Sequence, residues 1–195
     1  MEVQYFKRYS YNLNRDMEFK VYGHAGRPVL YIPCQDGRFF VFENFKMTDT
    51  WAPWIESGQV MVFSIDTMDK ETWSNKGANP RWRAERHEQW MRYITDEMVP
   101  FMRDMVNLRN GWTGYPGIMV FGCSLGATHA TNIFYSFFLY HYKYSYQTSA
   151  MSHCFFYALI YTTLCKVLIK ATEINIQYLQ IPLSSIFFFF YSKRA

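Results

Sequence analysis

The residues best able to do chemistry sit in one short stretch, Gly122-Cys123-Ser124-Leu125-Gly126. The apolar run GIMVFGCS (117–124) leads into it, and the small-residue stretch GATHATNIF continues from its last glycine. A serine on a tight strand-to-helix turn is held in a strained backbone conformation with its hydroxyl exposed at the end of a sheet. Glycines two positions before and after it, Gly122 and Gly126, leave space where side chains would clash. The helix that begins there aims unpaired N–H groups and the positive end of its dipole at the turn, which favours a developing oxyanion. Ser124 is therefore the candidate nucleophile. An ordinary turn with a capping serine uses the same residue type; placement between an apolar strand and a helix favours the chemical reading.

A serine attacking a carbonyl needs two N–H donors for the oxygen that becomes negative. The residue after the nucleophile, Leu125, supplies one. The turn PCQDGR (33–38), at the end of another apolar run, offers the second through Gln35, with Gly37 permitting the turn. A plain Asp-Gly turn is the alternative use of that segment.

These groups need a scaffold, and the pattern supplies one. MEFKVYG (17–23) alternates and runs into the turn HAGRP. PVLYIPC (28–34), VMVFSID (60–66) and GIMVFGCS (117–124) are continuous apolar runs, as strands covered on both faces read. FENFKMTDTWAPWIESG (42–58) predicts a short helix or two, broken near Pro53 and ended at Gly58. Residues 80–107 predict the longest helix, with a stripe of Trp90, Ile94, Met98, Phe101, Met102 and Met105 and a kink at Pro100. Strands and helices alternating at this spacing predict an α/β fold with a doubly wound, mainly parallel sheet.

Asp66, at a strand's C-terminal end, lies where open α/β sheets bind ligands, although a turn or cap is its simpler role. Trp73 and Trp82 could line a pocket or merely pack. His24 and His87 read as solvent-exposed, and His129, five residues beyond Ser124, as a surface or packing histidine pointing away from the turn.

Composition divides the chain at about residue 136. Residues 1–136 balance fifteen Lys/Arg against fifteen Asp/Glu, whereas 137–195 hold five basic residues and one acid, Glu173. The net charge of +4 thus comes from the second part, and nothing in the first resembles a nucleic-acid surface. All ten glycines and all six tryptophans lie at or before Gly126. A stretch without Gly or Asp can hardly turn a chain. The second part is instead rich in the residues that AT-rich codons spell, as in CFFYALIY and IFFFFY. This predicts two regions: 1–136, a catalytic domain's N-terminal part, and 137–195, an aberrant apolar tail produced by frameshift or read-through. Residues 154–169 are too short, and carry Lys166, for a bilayer span. The four cysteines show no metal spacing, and with no export signal at the start they read as reduced thiols in the cytoplasm. Neither a metal nor a cofactor is expected.

RDMEFKVYGHAGRPVLYIPCQDGRFFVFENF, VFSIDTMDKETW and YPGIMVFGCSLGATHA resemble the putative-esterase family of α/β-hydrolases, whose members include S-formylglutathione hydrolases, feruloyl esterases and mycolyltransferases. The resemblance covers about residues 1–134. It implies a hydrolase fold truncated after the nucleophile helix, a serine nucleophile at Ser124, oxyanion donors at Gln35 and Leu125, and a small ester or thioester substrate. Acyl transfer at the same site, or a hydrolase-like fragment without activity, are the alternatives. The family also implies an acid and then a histidine well after the serine. Here the only later acid is Glu173, and His129, His141 and His153 all precede it. The triad acid and histidine are unassigned, as is the oligomeric state.

Overall fold

The computed structural model describes residues 1–114, 116–144 and 156–161, with side chains for 1–114 and 116–136. Strands β1 (Val3–Ser10) and β2 (Arg15–Tyr22) form a hairpin. Then come β3 (Arg27–Ile32), short α1 (Val41–Asn44), α2 (Met47–Glu56) and β4 (Val60–Ile65). A long helical run follows: α3 (Pro80–Arg92), a π-helical turn (Tyr93–Met98) and α4 (Val99–Asn110). β5 (Ile118–Cys123), α5 (Leu125–Tyr144) and β6 (Phe156–Tyr161) complete the described elements.

The sheet order is β1-β2-β4-β3-β5-β6. β4, β3, β5 and β6 run parallel, and β1 and β2 form an antiparallel edge. The three apolar runs expected to be neighbouring parallel strands are the centre of the sheet. Their continuous hydrophobicity has a direct cause, because alternate residues feed two cores. Leu30, Ile32, Met61, Phe63 and Val120 pack under α3, α4 and α5, against Trp90, Ile94, Met102, Val106 and Ile133. Val29, Tyr31, Val62 and Phe121 pack under α1 and α2, against Phe42 and Ile55.

Two expected helix details change. α2 passes straight through Pro53, and the break falls earlier, at Lys46, whose φ of 52° separates α1 from α2. Position 53 is the seventh residue of a ten-residue helix, so its missing N–H removes a single bond. The disturbance at Pro100 takes the form of the wide π turn before it. Asp96, whose carbonyl the proline ring would meet in a regular helix, lies inside that turn.

The helix after Ser124 continues to Tyr144, and β6 pairs parallel with β5, so the described backbone extends past residue 136. Cys154, Cys165, His153 and Glu173 lie outside the described residues, as does the apolar run 154–169 except for β6. Among the described residues no helix is long and apolar enough to cross a membrane.

Candidate active site

β3 and β5 are adjacent and parallel, with Ile32 paired to Gly122, so the segments leaving their C-terminal ends emerge at the same edge of the sheet. One of those segments is the Ser124 turn and the other is the 33–38 loop.

Ser124 has φ 56°, one of four non-glycine residues in the left-handed region among the described residues. Such a conformation costs about 1–3 kcal/mol and persists only where the surroundings impose it. The surroundings here are backbone. A Cβ on Gly122 would stand 2.4 Å from the carbonyl carbon and oxygen of Gly126 and 2.7 Å from the Ile32 carbonyl oxygen. A Cβ on Gly126 would stand 2.2 Å from the Pro33 carbonyl oxygen and 2.3 Å from that of Ile32. Strand, turn and helix therefore touch backbone to backbone, and only glycine fits at either flank. Ala127 donates its N–H to the Ser124 carbonyl at 3.0 Å, which closes the first turn of α5. Ser124 itself is exposed. A hydroxyl so placed, above the N-terminus of a 20-residue helix, can meet a carbonyl whose oxygen finds helix N–H groups.

The loop after β3 is a tight turn in which Gly37 N–H donates to the Cys34 carbonyl at 2.8 Å, with Asp36 at φ 58°. Asp tolerates that conformation where most residues do not. Gly37 is required by space: a Cβ there would meet the Pro33 Cβ at 2.5 Å and the Cys34 carbonyl oxygen at 2.7 Å. Gln35 is exposed, and its side-chain amide donates to Ser74 Oγ at 2.7 Å. Ser74 Oγ in turn donates to Asp36 Oδ1 at 2.7 Å.

Asp66 takes the simpler of its two roles. It accepts from Phe39 N–H at 2.8 Å and from Arg38 Nε at 2.9 Å, tying the end of β4 to the segment after the turn. Burial raises its pKa above the usual carboxylate value, and the Phe39 and Arg38 donors oppose that rise. Trp82 and Trp73 are both substantially exposed, while His24 is exposed as expected.

One histidine differs from expectation. His87 is half-buried, with its ring stacked on His129 at a centroid distance of 5.3 Å. Burial lowers its pKa below the ordinary histidine value, and the neighbouring His129 lowers it further. The charged sequence around His87 hid this, since the helix face between the charges turns inward. Of the two roles expected for His129, surface or packing, it takes the packing one. It is 1% exposed, and its Nε2 lies 3.0 Å from Oδ1 of Asp69, itself 2% exposed. Asp69 is the residue the sequence did not single out; VFSIDTMDKETW offers three acids in close succession and no local signal for choosing among them.

The family model described as "Putative esterase" matches residues 10–155. The chain belongs to the putative-esterase family. Two solved structures at a TM-score of 0.50 agree on the fold. A ferulic acid esterase from the anaerobic fungus Anaeromyces mucronatus, solved without substrate, matches at 14% identity and TM-score 0.50, over 68% of this chain and 53% of that one. The same esterase with ferulic acid bound matches at 15% identity and TM-score 0.50, over 68% and 52%. An S-formylglutathione hydrolase from Agrobacterium tumefaciens matches at 19% identity and TM-score 0.47, over 67% and 53%. The esterase-family chain spans about half the length of these solved relatives. No curated protein sequence matches it significantly.

Proposed function

We propose that this chain is the nucleophile-bearing part of a serine carboxylic-ester hydrolase that works through an acyl-enzyme on Ser124. The observation that carries the reading is the left-handed Ser124 backbone, wedged between two glycines that contact neighbouring backbone directly. Family membership supports the reaction type. In the reaction, Ser124 Oγ attacks the carbonyl carbon of a small ester or thioester. The carbonyl oxygen takes the electron pair and is held by the Leu125 and Gln35 backbone N–H groups. Collapse expels the alcohol or thiol, and water then releases the acid.

The hydroxyl proton needs a base, and residues 1–195 lack one in the family's order. His129 is buried and engaged by Asp69. Glu173 is the last acid, and no histidine follows it. A serine without its base keeps only the rate that binding and the oxyanion donors provide. With residues 1–195 alone the esterase site is therefore impaired, and the lack of Gly and Asp supports reading 137–195 as a frameshifted or read-through tail.

The test is hydrolysis of a short-chain nitrophenyl ester by the purified chain beside Ser124→Ala. Expected is turnover on the order of a thousandfold or more below that of a complete triad, and abolished by the substitution. Turnover that survives Ser124→Ala refutes the nucleophile assignment. Rapid turnover lost in Ser124→Ala reveals a working base and refutes the impairment. Sequencing the coding DNA across codons 130–200 tests the tail: a second frame with Gly, Asp and a late histidine supports the replacement, and its absence refutes it.

A further inference from the structure

Asp69 and His129 form a buried polar pair that the reaction above does not use. Removing two such groups from water is costly unless each retains strong partners. Asp69 has them on both oxygens. Oδ1 meets His129 Nε2 at 3.0 Å, and Oδ2 accepts the backbone N–H of Asp36 at 3.2 Å. Its own carbonyl accepts from Thr72 N–H at 3.0 Å and Ser74 N–H at 2.8 Å, so the 69–74 turn is folded around it. Ser74 then reaches back to Asp36 and Gln35 through its hydroxyl. His129 is fixed in turn by ring contacts with Trp90 at 4.9 Å and His87 at 5.3 Å.

The geography of this pair matters. His129 lies on α5, little more than one helical turn beyond Ser124. Asp36 follows Gln35 in the loop proposed to donate to the oxyanion. The chain α5–His129–Asp69–Asp36 thus ties the helix that begins at the nucleophile to the loop carrying the second donor. The Asp69 and His129 side chains are both almost fully buried, so these hydrogen bonds are shielded from competition by solvent.

We propose that Asp69 and His129 are positioning residues that hold the 34–37 loop, through the Asp36 N–H, at the distance from Ser124 that oxyanion stabilisation requires. The inference rests on Ser124 and Gln35 having the roles given above. In this role both act through the loop and the helix rather than by contact with substrate. A loop donor displaced by about 1 Å weakens stabilisation of the transition state more than binding of the ground state, so the effect falls on the rate of bond formation.

The test uses the full chain, ¹⁵N-labelled, with two readouts. Amide hydrogen exchange reports the Asp36 N–H. A small fluorophosphonate reports the limiting rate at which Ser124 is phosphonylated and the probe concentration giving half that rate. In Asp69→Ala the Asp36 amide should exchange at least tenfold faster. The limiting rate should fall at least fivefold while the half-saturating concentration stays within twofold. Asp69→Asn keeps an oxygen for the Asp36 N–H and should restore most of both. If Asp69→Ala fails to fold, the double variant Asp69→Leu/His129→Leu replaces the pair by apolar groups, a change buried pairs often tolerate; it should show the same two losses. Unchanged Asp36 exchange, or an unchanged limiting rate despite faster exchange, overturns the proposal while leaving Ser124 as the nucleophile. Labelling that is absent, or equal in Ser124→Ala, overturns the nucleophile reading and this proposal together. The control tells the two failures apart.

Discussion

Gly126→Ala adds one methyl group where the structure has no room for it. The new Cβ would stand 2.2 Å from the Pro33 carbonyl oxygen, 2.3 Å from the Ile32 carbonyl oxygen and 2.9 Å from the Ile32 carbonyl carbon. Ordinary contact begins at 3.4 Å, so α5 and the end of β3 must separate by roughly 1 Å. All three obstacles are backbone at the C-terminal end of a central strand, so no side-chain rotation relieves them. Overpacking a core typically costs about 1–3 kcal/mol, and a clash with main chain belongs at the upper end, about 3 kcal/mol. For a chain of this size each kcal/mol lowers Tm by about 2–4 °C, giving a drop of about 6–12 °C. Gly77→Ala is the control: a Cβ there meets nothing within 4 Å. Thermal and urea unfolding followed by far-UV circular dichroism measure both variants. Gly126→Ala as stable as Gly77→Ala would refute the claim that strand, turn and helix pack backbone to backbone.

Ser124→Gly should stabilise the chain by about 1 kcal/mol in urea unfolding, since glycine relieves the positive φ that serine adopts under constraint; a loss of stability would show that the turn is not strained. Asp66→Ala should cost about 1–3 kcal/mol, because it leaves the buried Phe39 N–H without its acceptor, and Tm measurements that show no loss would contradict that bond. His87 has a lowered folded pKa, mainly from burial. Its contribution to stability is thus present above its unfolded value of about 6.5 and lost as pH falls through the folded one. Urea midpoints between pH 7.5 and pH 5 should decline in the native chain and decline less in His87→Gln; parallel declines would exclude His87 as the cause.

The central strands were readable because runs such as PVLYIPC and VMVFSID leave no polar face, which fits only strands covered on both sides. The Ser124 turn was readable because its flanking glycines and its position between strand and helix are local features. β1 was not readable. VQYFKRYS is an edge strand whose burial barely alternates, and only pairing with β2 reveals it. The Asp69–His129 pair was hidden for another reason. Sixty residues separate the partners, and a histidine on an apolar helix carries no local sign of what it meets. Sequence spacing also misplaced the break near Pro53, because Lys46 adopts a left-handed conformation that its residue type does not announce.

The most direct test of the account is to find where a fluorophosphonate attaches. The full chain is incubated with excess probe beside Ser124→Ala, then digested and mapped by mass spectrometry. The account predicts one adduct, on the peptide containing Gly122-Cys123-Ser124-Leu125-Gly126, forming slowly for want of a positioned base and absent from Ser124→Ala. An adduct on another residue, or equal labelling of Ser124→Ala, would contradict it.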